Sequence, residues 1–398
     1  MNILFLTLNF KGINNPGLNN DLIRYFKNMK HNIYVISANE RKEPKQEVFK
    51  QIENLYSLKV RIPNITKTNI IEKGISTLFI ERLYMRAIKK HLNNIQFDLV
   101  LYTTPPITFS KVVEYIKKRD AAKTYLMLKD IFPQNAVDIQ MIKKSSFLYK
   151  YFRRKEKKLY DITDFIGTMS KKNKEYIIRH NVEIEGKVEI LPNTITPRNI
   201  NINLHNKNVL FKKYHIPLNK RTFIYGGNLG KPQGIDFVIE CIKRNEQNKN
   251  SFIVIVGSGT EFSKLEKAFE EYKFRNALLL NQLPKKKYEL LANSCDVGLI
   301  FLDYRFTIPN FPSRLLSYMQ ASMPIIAATD PNTDIGDVIE ENGFGRKVLS
   351  NDVEKFNQII QDFSTRSDLK EMGRKARSYL EKNYTSETAY NTIMKHFE

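Results

Sequence analysis

The stretch from Thr222 to Asp236, TFIYGGNLGKPQGID, constrains the fold more than any other part of the sequence. It joins an apolar segment, Phe223 to Tyr225, to two glycines and then to a helical pattern that starts near Gly234. Glycine allows a tight turn, and a helix that starts at such a turn points free N–H groups at an anion. Lys231 adds a positive charge on the same turn. The stretch therefore predicts a phosphate-binding corner, although an ordinary strand-to-helix turn has the same pattern.

Both halves of the chain alternate apolar strand patterns with amphipathic helix patterns. Such alternation predicts parallel sheets with helices on both faces, and 398 residues are too many for one core. We predict an α/β fold with a first domain over residues 1–200, which a terminal helix at about 384–398 rejoins. The second domain is predicted over residues 207–383, and the polar stretch from Asn199 to Lys220 is predicted to be a linker.

Several local patterns complete this prediction. Residues 40–60 are charged and without a clear period, which predicts an irregular segment, whereas residues 69–93 have helical periodicity. Thr124 to Leu128 reads as a strand that ends at Lys129 and Asp130. Ligands of doubly wound sheets lie beyond the carboxyl ends of the strands, so Asp130 is a candidate site residue. The alternative is an aspartate that caps a helix.

The positive charge lies mainly in the first half of the chain. Of the formal net charge of +22, residues 1–200 contribute +17, with 36 Lys and Arg against 19 Asp and Glu. Such a charge attracts nucleic acid, an anionic membrane or a phosphorylated substrate, or reflects a lysine-rich composition. Residues 143–160 combine eight basic side chains with aromatic ones. This segment is predicted to contact a membrane surface through Arg153, Arg154, Lys157 and Lys158, with a solvated helix as the alternative.

Membrane-spanning and metal-binding patterns are missing from the sequence. No apolar run approaches the roughly 18 residues of a membrane span, so a cytoplasmic protein is expected. Cys241 and Cys295 lack metal-ligand spacing and are expected to be reduced and structural. No Asp-x-Asp triplet occurs in the chain.

In its order of motifs, the chain resembles family 4 of the retaining nucleotide-sugar glycosyltransferases, which have the GT-B fold of two facing Rossmann-like domains. The resemblance covers nearly the whole length. It depends on GGNLGKPQG at 226–234, IVGSGTE at 255–261, LPKKKYELLANSCDVGLI at 283–300 and FPSRLLSYMQASMPIIA at 311–327, together with LKDIFPQNAVD at 128–138. Within the family, the chain is most similar to bacterial capsule and O-antigen transferases of the N-acetylfucosaminyl type. The resemblance thus implies a UDP-sugar donor and a polyprenyl-diphosphate-linked acceptor at the inner face of the membrane.

The resemblance also implies which residues bind the donor. Its diphosphate needs N–H donors and positive charge, because the leaving group gains charge as the glycosidic bond breaks. Lys231 and Arg314 are expected to supply that charge, and Asp130 to act on the acceptor. The implied donor-binding positions are Gly17, Gly227, Asn228, Lys231, Gly257, Gly259, Gln282, Leu283, Pro284, Tyr288, Phe311, Pro312, Ser313, Arg314 and Leu315.

The sequence departs from the family pattern at several of these positions. Asn228 and Gln233 stand where an arginine and a lysine are common, so Arg314 and Lys231 are expected to replace both charges. The two glutamates of the family fall at Pro309 and Ser317. None of the six histidines aligns with the family's histidine near the end of the strand at 124–128, so Asp130 is the expected substitute.

These departures leave other functions open. A nucleotide-sugar 2-epimerase would act without a lipid acceptor, and a catalytically silent protein would bind a nucleotide sugar without turning it over. Nucleic-acid binding is disfavoured because the phosphate corners lie in the less basic half and no nucleic-acid-binding module is recognisable. The charge stabilisation implied by the resemblance needs neither a metal nor another cofactor.

Overall fold

The computed structural model describes residues 1–44, 48–64, 70–199 and 204–397. The chain forms two compact units, one comprising Met1–Thr196 with Ser386–Glu398, and the other Pro197–Thr385. We call them the first and the second unit. The predicted domain boundaries at residues 200 and 384 lie close to these limits. Each unit is built around its own sheet and its own apolar core.

The first unit contains an eight-stranded sheet in the order β3-β4-β2-β1-β5-β6-β7-β8. Its strands are β1 (Asn2–Leu6), β2 (Asn32–Glu40), β3 (Phe49–Ile52), β4 (Leu55–Ile62), β5 (Leu99–Thr103), β6 (Lys123–Leu128), β7 (Phe165–Thr168) and β8 (Val188–Ile190). Neighbouring strands are parallel except for β3, which pairs antiparallel with β4 at the edge. The central strands are almost fully buried because they carry continuous apolar runs, as parallel strands covered on both faces require.

Among the described residues of the first unit, six helices lie between these strands along the chain. They are α1 (Leu18–Asn28), α2 (Ile70–His91), α3 (Ser110–Asp120), α4 (Gln134–Asp138), α5 (Phe147–Ile162) and α6 (Lys171–His180), and a short 3₁₀ turn covers Val182–Lys187. The helical periodicity over residues 69–93 therefore predicts α2 correctly. The side chain of Ser146 caps α5 by accepting a hydrogen bond from the backbone N–H of Tyr149.

The second unit contains a fully parallel six-stranded sheet in the order β11-β10-β9-β12-β13-β14. Its strands are β9 (Arg221–Asn228), β10 (Ser251–Ser258), β11 (Ala277–Asn281), β12 (Val297–Phe301), β13 (Ile325–Thr329) and β14 (Gly345–Leu349). Its helices are α7 (Leu204–Lys213), α8 (Ile235–Asn245), α9 (Phe262–Tyr272), α10 (Lys285–Ser294), α11 (Arg314–Gln320), α12 (Ile335–Glu341), α13 (Val353–Thr365) and α14 (Leu369–Asn383). The strand order reverses between β9 and β12, and ligands of open α/β sheets bind at such a switch point.

The last helix, α15 (Ser386–Met394), belongs to the first unit and packs against α1. Ala389 and Ile393 are buried in the first unit's core, and Tyr390, Met394 and Phe397 pack against it. The predicted return of the C-terminal helix to the first unit is therefore confirmed. Within the described residues, no helix is long and apolar enough to cross a membrane.

Two predictions about irregular segments are wrong. Residues 40–60 contain β3 and most of β4, because Leu55, Leu58 and Val60 are buried on an edge hairpin between exposed charged residues. The predicted linker between Asn199 and Lys220 contains α7, whose Phe211 side chain is almost fully buried. In both segments, a few apolar side chains among many polar ones are enough to anchor a regular element.

Candidate functional site

The predicted corner between β9 and α8 is closed by a pair of neutral side chains. Asn228 Nδ2 donates to Gln233 Oε1 at 2.7 Å, and the backbone N–H of Gly230 donates to the same oxygen at 3.2 Å. Lys231 lies between them on a 3₁₀ turn, Lys231–Gln233, and is exposed. The positions at which the resembled family has two cations thus hold an amide pair that stabilises the loop. Of the two expected cations, Lys231 alone projects from this loop.

Glycines allow the backbone at the end of β10 to approach the backbone at the end of β9 closely. A Cβ on Gly257 would lie 2.0 Å from the carbonyl oxygen of Gly227, and a Cβ on Gly259 would lie 2.2 Å from that of Leu229. Gly227 itself has a φ of +139°, which side chains rarely adopt. Gly257, at the end of β10, and Gly259, just after it, were predicted to bind the donor; they allow the chain there to approach Gly227 and Leu229 at the end of β9 closely.

Arg314, a predicted donor-binding residue, lies beside Gly227 at this corner. A Cβ on Gly227 would approach its Nη2 to 2.7 Å, and its guanidinium carbon lies 3.9 Å from the centre of the Tyr225 ring. Its Nε is buried and has no hydrogen-bond partner. Although burial opposes the charge, the pKa of Arg314 is raised because Tyr225 and Tyr318 face the guanidinium. Among the described residues, no carboxylate lies within ion-pair distance of this half-buried cation.

Two tyrosines that sequence reasoning missed hold Arg314 in place. The hydroxyl of Tyr225 donates to the carbonyl oxygen of Asn228 at 2.7 Å, so one side chain supports both the corner and the guanidinium. The hydroxyl of Tyr318 is shared between the carbonyl oxygens of Ile224 and Leu299, at 3.0 and 3.1 Å. Tyr318 follows Arg314 by four residues, so both lie on one face of α11. That spacing in the sequence is the signal that could have identified it.

The tyrosine predicted to wall the pocket, Tyr288, covers Gly226. A Cβ on Gly226 would lie 2.0 Å from the Tyr288 hydroxyl oxygen. Burial raises the pKa of Tyr288 to about 12, although the charge of Arg314 acts to lower it. Three tyrosine side chains, those of Tyr225, Tyr288 and Tyr318, therefore lie around the Arg314 guanidinium and leave its charge unneutralised.

The remaining predicted positions of the second unit lie on the loops around this edge. Gln282 is exposed, and its Oε1 accepts from the Ser258 hydroxyl at 3.0 Å, which ties the loop after β11 to the end of β10. The carbonyl of Pro284 accepts from the N–H of Tyr288 at 3.0 Å. Other predicted positions are half-buried or exposed at the same edge: Leu283, Phe311, Pro312 and Ser313.

One backbone amide expected to face the donor is already used. The N–H of Leu315 donates to the carbonyl of Pro312 at 3.2 Å, within the turn that begins α11. Leu315 itself is fully buried. Its contribution is therefore to fix the turn beside Arg314, and the guanidinium is the better-placed donor for an anion.

A charged pair lies behind the corner and was not predicted. Arg305 donates two hydrogen bonds to the Asp303 carboxylate, at 2.8 and 2.7 Å, and the N–H of Asp303 donates to the carbonyl of Pro232. Burial would raise the pKa of Asp303, but the hydrogen bonds from Arg305 lower it on balance. The pair is electrically balanced, so it does not neutralise Arg314 beside Gly227.

The predicted acceptor residue, Asp130, lies in the first unit at the end of β6. Its Oδ1 accepts from Asn135 Nδ2 at 2.6 Å, and its N–H donates to the Thr104 hydroxyl at 3.3 Å. The N-cap of α4 is Pro133, so the structure does not favour the capping alternative for Asp130.

The neighbouring Lys129 is the more unusual group, and the sequence analysis did not select it. Its Nζ donates to Asn19 Oδ1 at 2.7 Å. Part of the residue remains accessible, yet burial lowers the pKa of Lys129 to about 8. A lysine at the carboxyl end of a strand, followed by an aspartate, was the available signal.

Gly17, the other predicted donor-binding position in the first unit, is the N-cap of α1. Its N–H donates to Asp21 Oδ1 at 3.3 Å, and no atom lies within 4 Å of the place where a Cβ would stand. The space beside Gly17 is therefore open.

The four predicted membrane-contact residues on α5 do not share one environment. Arg153 is half-buried, where it pairs with Glu156 at 2.5 Å and donates to Asn181 Oδ1 at 2.7 Å. Lys158 pairs with Glu114 at 2.9 Å. Arg154 and Lys157 are exposed, as is Phe147 at the start of the helix, with 82% of its surface accessible.

The described part of the chain contains no group of three or more His, Cys, Asp and Glu side chains that could hold a metal ion. Cys241 and Cys295 are both buried and reduced, and burial raises the pKa of each thiol.

Comparison with known proteins assigns this architecture to a class. Residues 206–379 match the family model described as glycosyl transferases group 1. The chain is 23% identical over 325 residues to the probable glycosyltransferase WbjE of Pseudomonas aeruginosa, covering 82% of this chain and 80% of WbjE. It is 27% identical over 128 residues to the putative colanic acid biosynthesis glycosyl transferase WcaI of Escherichia coli K12, covering 31% of this chain and 30% of WcaI.

The fold is also found in solved structures. HepE of Anabaena, in complex with UDP-glucose, superimposes with a TM-score of 0.69 at 12% identity, covering 100% of this chain and 99% of HepE. The predicted GT-B fold is thereby confirmed, with two units that each have a largely or fully parallel sheet. The family match over residues 206–379 and the similarity to WbjE support a glycosyltransferase enzyme.

Proposed function

We propose that this protein is a retaining glycosyltransferase that moves a sugar from a UDP-sugar to a polyprenyl-diphosphate-linked saccharide. The sugar is proposed to be an N-acetylated deoxyhexosamine such as N-acetylfucosamine, and the pathway to be bacterial capsule or O-antigen synthesis. The observation that carries the proposal is Arg314 beside Gly227, because the Arg314 side chain is half-buried and its buried Nε has no hydrogen-bond partner. A cation fixed among three tyrosines at a sheet's switch point is suited to a diphosphate.

The chemistry follows from this charge. The departing nucleoside diphosphate gains negative charge as the glycosidic bond breaks, so a preorganised cation lowers the barrier. Arg314 offers a planar pair of donors, and the exposed Lys231 adds a mobile charge from the loop. Front-side attack lets the leaving phosphate take the acceptor's proton, and Asp130 then orients the acceptor rather than deprotonating it. This account needs no metal, so turnover is expected to persist in EDTA.

The donor and acceptor identities draw on the relatives. The HepE structure contains UDP-glucose, which supports a UDP-sugar here, with the base expected along Gln282, Leu283 and Pro284. WcaI is named for colanic acid biosynthesis, which supports a polysaccharide product. Arg154 and Lys157 are exposed on α5, the helix that begins at the accessible Phe147, which supports contact with the anionic inner face of the membrane. No nucleic-acid partner is proposed.

A panel of nucleotide sugars tests the proposal. The protein is incubated with each sugar nucleotide, with and without polyprenyl-diphosphate saccharides, in EDTA, and free nucleotide is measured. We expect release of UDP from one donor, and only with a lipid-linked acceptor. Conversion of the donor to its 2-epimer without acceptor would instead identify an epimerase. Tight binding of UDP-sugars without release from any of them would identify a silent binding protein.

A further inference from the structure

The first unit contains a pocket of about 600 Å³ that the site described above does not use. Pockets of this size hold a drug-sized or disaccharide-sized ligand. Its walls come from the loop after β1 and from β2, β3 and β4. The lining residues used below are Phe10, Lys11, Ile13, Lys50, Ile52 and Lys59.

The pocket has more positive charge than its own carboxylates neutralise. Lys11, Lys50 and Lys59 line it together with Glu40 and Glu43. The Glu40 carboxylate is paired with Lys42 at 3.1 Å, outside the lining. Glu43 Oε2 accepts hydrogen bonds from the N–H of Glu40 and from Asn39 Nδ2, at 3.0 and 3.3 Å. Glu40 is thus paired with Lys42, whereas Glu43 keeps its negative charge, and three lysines against this one carboxylate leave the lining with a net positive charge.

Lys59 is the deepest of these cations. Its Nζ donates to the carbonyl of Phe10 and lies 5.7 Å from the centre of the Phe10 ring. Among the described residues, no carboxylate lies within 4.0 Å of it. Burial lowers the pKa of Lys59 although the charge of Glu43 acts against this, and a bound anion would offset that cost.

The wall opposite the strands is fixed before any ligand binds. Asn20 Nδ2 donates to the carbonyls of Gly12 and Asn15, at 3.0 and 2.9 Å, and Arg24 donates to the carbonyl of Ile13. Gly12 has a φ of +93°, which lets the loop turn toward the pocket. A loop held at three carbonyls loses little freedom on binding.

Apolar side chains complete the lining. Phe10 and Leu55 are buried, Ile13 is half-buried, and Ile52 on the edge strand β3 keeps 41% of its surface accessible. Cationic and apolar groups in one pocket match a ligand that joins an anion to a hydrocarbon chain.

We propose that this pocket binds the diphosphate and first isoprene units of the lipid-linked acceptor, with Lys11, Lys50 and Lys59 on the phosphates and Ile52 on the hydrocarbon. The proposal rests on the proposed transferase function and deepens it. It assigns the lipid anchor of the acceptor to the first unit, whereas the donor corner belongs to the second unit.

Farnesyl diphosphate is the probe, because it carries the diphosphate and three isoprene units without a sugar. Its dissociation constant is measured by calorimetry for the wild type and for Lys59→Gln and Lys11→Gln. Lys90→Gln is the matched control, since it removes one exposed charge from α2 outside the pocket. We expect both pocket variants to bind about tenfold more weakly, as for loss of one hydrogen bond to a charged group. The control should bind like the wild type.

Other outcomes overturn the proposal. Equal affinity of all three variants would place the diphosphate elsewhere. Inorganic pyrophosphate binding as tightly as farnesyl diphosphate would show a free-phosphate site rather than a lipid site. Lys11 is exposed on a loop, so its variant remains informative if Lys59→Gln does not fold.

A turnover assay distinguishes a wrong pocket assignment from a wrong transferase function. In the transfer assay, the pocket variants should raise the KM for the lipid acceptor while leaving the KM for the donor unchanged. An unchanged acceptor KM would refute the pocket assignment and leave the transferase intact. Absence of transfer by the wild type, with farnesyl diphosphate still bound at Lys59, would refute the transferase and leave the pocket.

Discussion

Replacing Arg314 by alanine tests the assignment of the donor corner. The guanidinium lies 3.9 Å from the Tyr225 ring centre, beside the Cα of Gly227, with a buried and unpaired Nε. Loss of one preorganised donor to a developing anion lowers turnover by about 10² to 10³. We expect a decrease of this size in kcat for Arg314→Ala. The measurement is UDP release at saturating acceptor, with melting temperature as the control for folding.

Two further variants sharpen this test. Arg314→Lys keeps the charge but loses the planar pair of donors, so its turnover should lie between those of wild type and Arg314→Ala. Lys231→Ala should lose less activity than Arg314→Ala, because Lys231 is exposed and the loop is held by Asn228 and Gln233. Near-normal turnover of Arg314→Ala, together with an inactive Lys231→Ala, would refute the assignment of the two roles.

Three more predictions concern the corner, the helix α5 and Lys129. Gly257→Ala should lower the melting temperature and abolish UDP binding, because its Cβ would lie 2.0 Å from the Gly227 carbonyl; a variant that binds UDP normally would contradict this contact. The double variant Arg154→Gln and Lys157→Gln should bind anionic vesicles roughly thirtyfold more weakly, because each charge contributes about 1 kcal/mol. Unchanged sedimentation with vesicles would show that α5 is a solvated helix without a membrane contact. Arg153→Gln, made as the comparison, should mainly lower the melting temperature, because it breaks the contacts with Glu156 and Asn181. The pKa of Lys129 is lowered from 10.5 to about 8, so the unfolded chain binds more protons between these values and stability should rise with pH there. Lys129→Met should lose this rise in thermal unfolding from pH 8 to 10, and identical curves for both proteins would refute the lowered pKa.

Much of the fold could be predicted because many of its strands and helices are marked by local sequence patterns. Continuous apolar runs mark the central parallel strands, and the periodicity of residues 69–93 marks α2. The edge hairpin of β3 and β4 and the helix α7 were missed because their few buried side chains stand among charged ones. In such segments tertiary packing, rather than local pattern, decides the structure.

The site could be predicted only in part, because several of its contacts depend on tertiary packing. Glycines at the corner and Arg314 follow from motif order, but the contact of Arg314 with Tyr225 depends on how α11 packs against β9. The hydrogen bond between Asn228 and Gln233 explains how the loop tolerates the loss of two cations, which composition cannot show. On α5, charge alone could not distinguish the paired Arg153 and Lys158 from the exposed Arg154 and Lys157.

The anomeric configuration of the product tests the central claim most directly. The protein is incubated with the UDP-sugar that supports nucleotide release and with a polyprenyl-diphosphate saccharide, and the new linkage is examined by ¹H NMR. The account predicts a disaccharide whose anomeric coupling matches that of the donor, formed with one UDP per linkage and lost in Arg314→Ala. A product of inverted configuration, or UDP bound with no linkage formed, would contradict it.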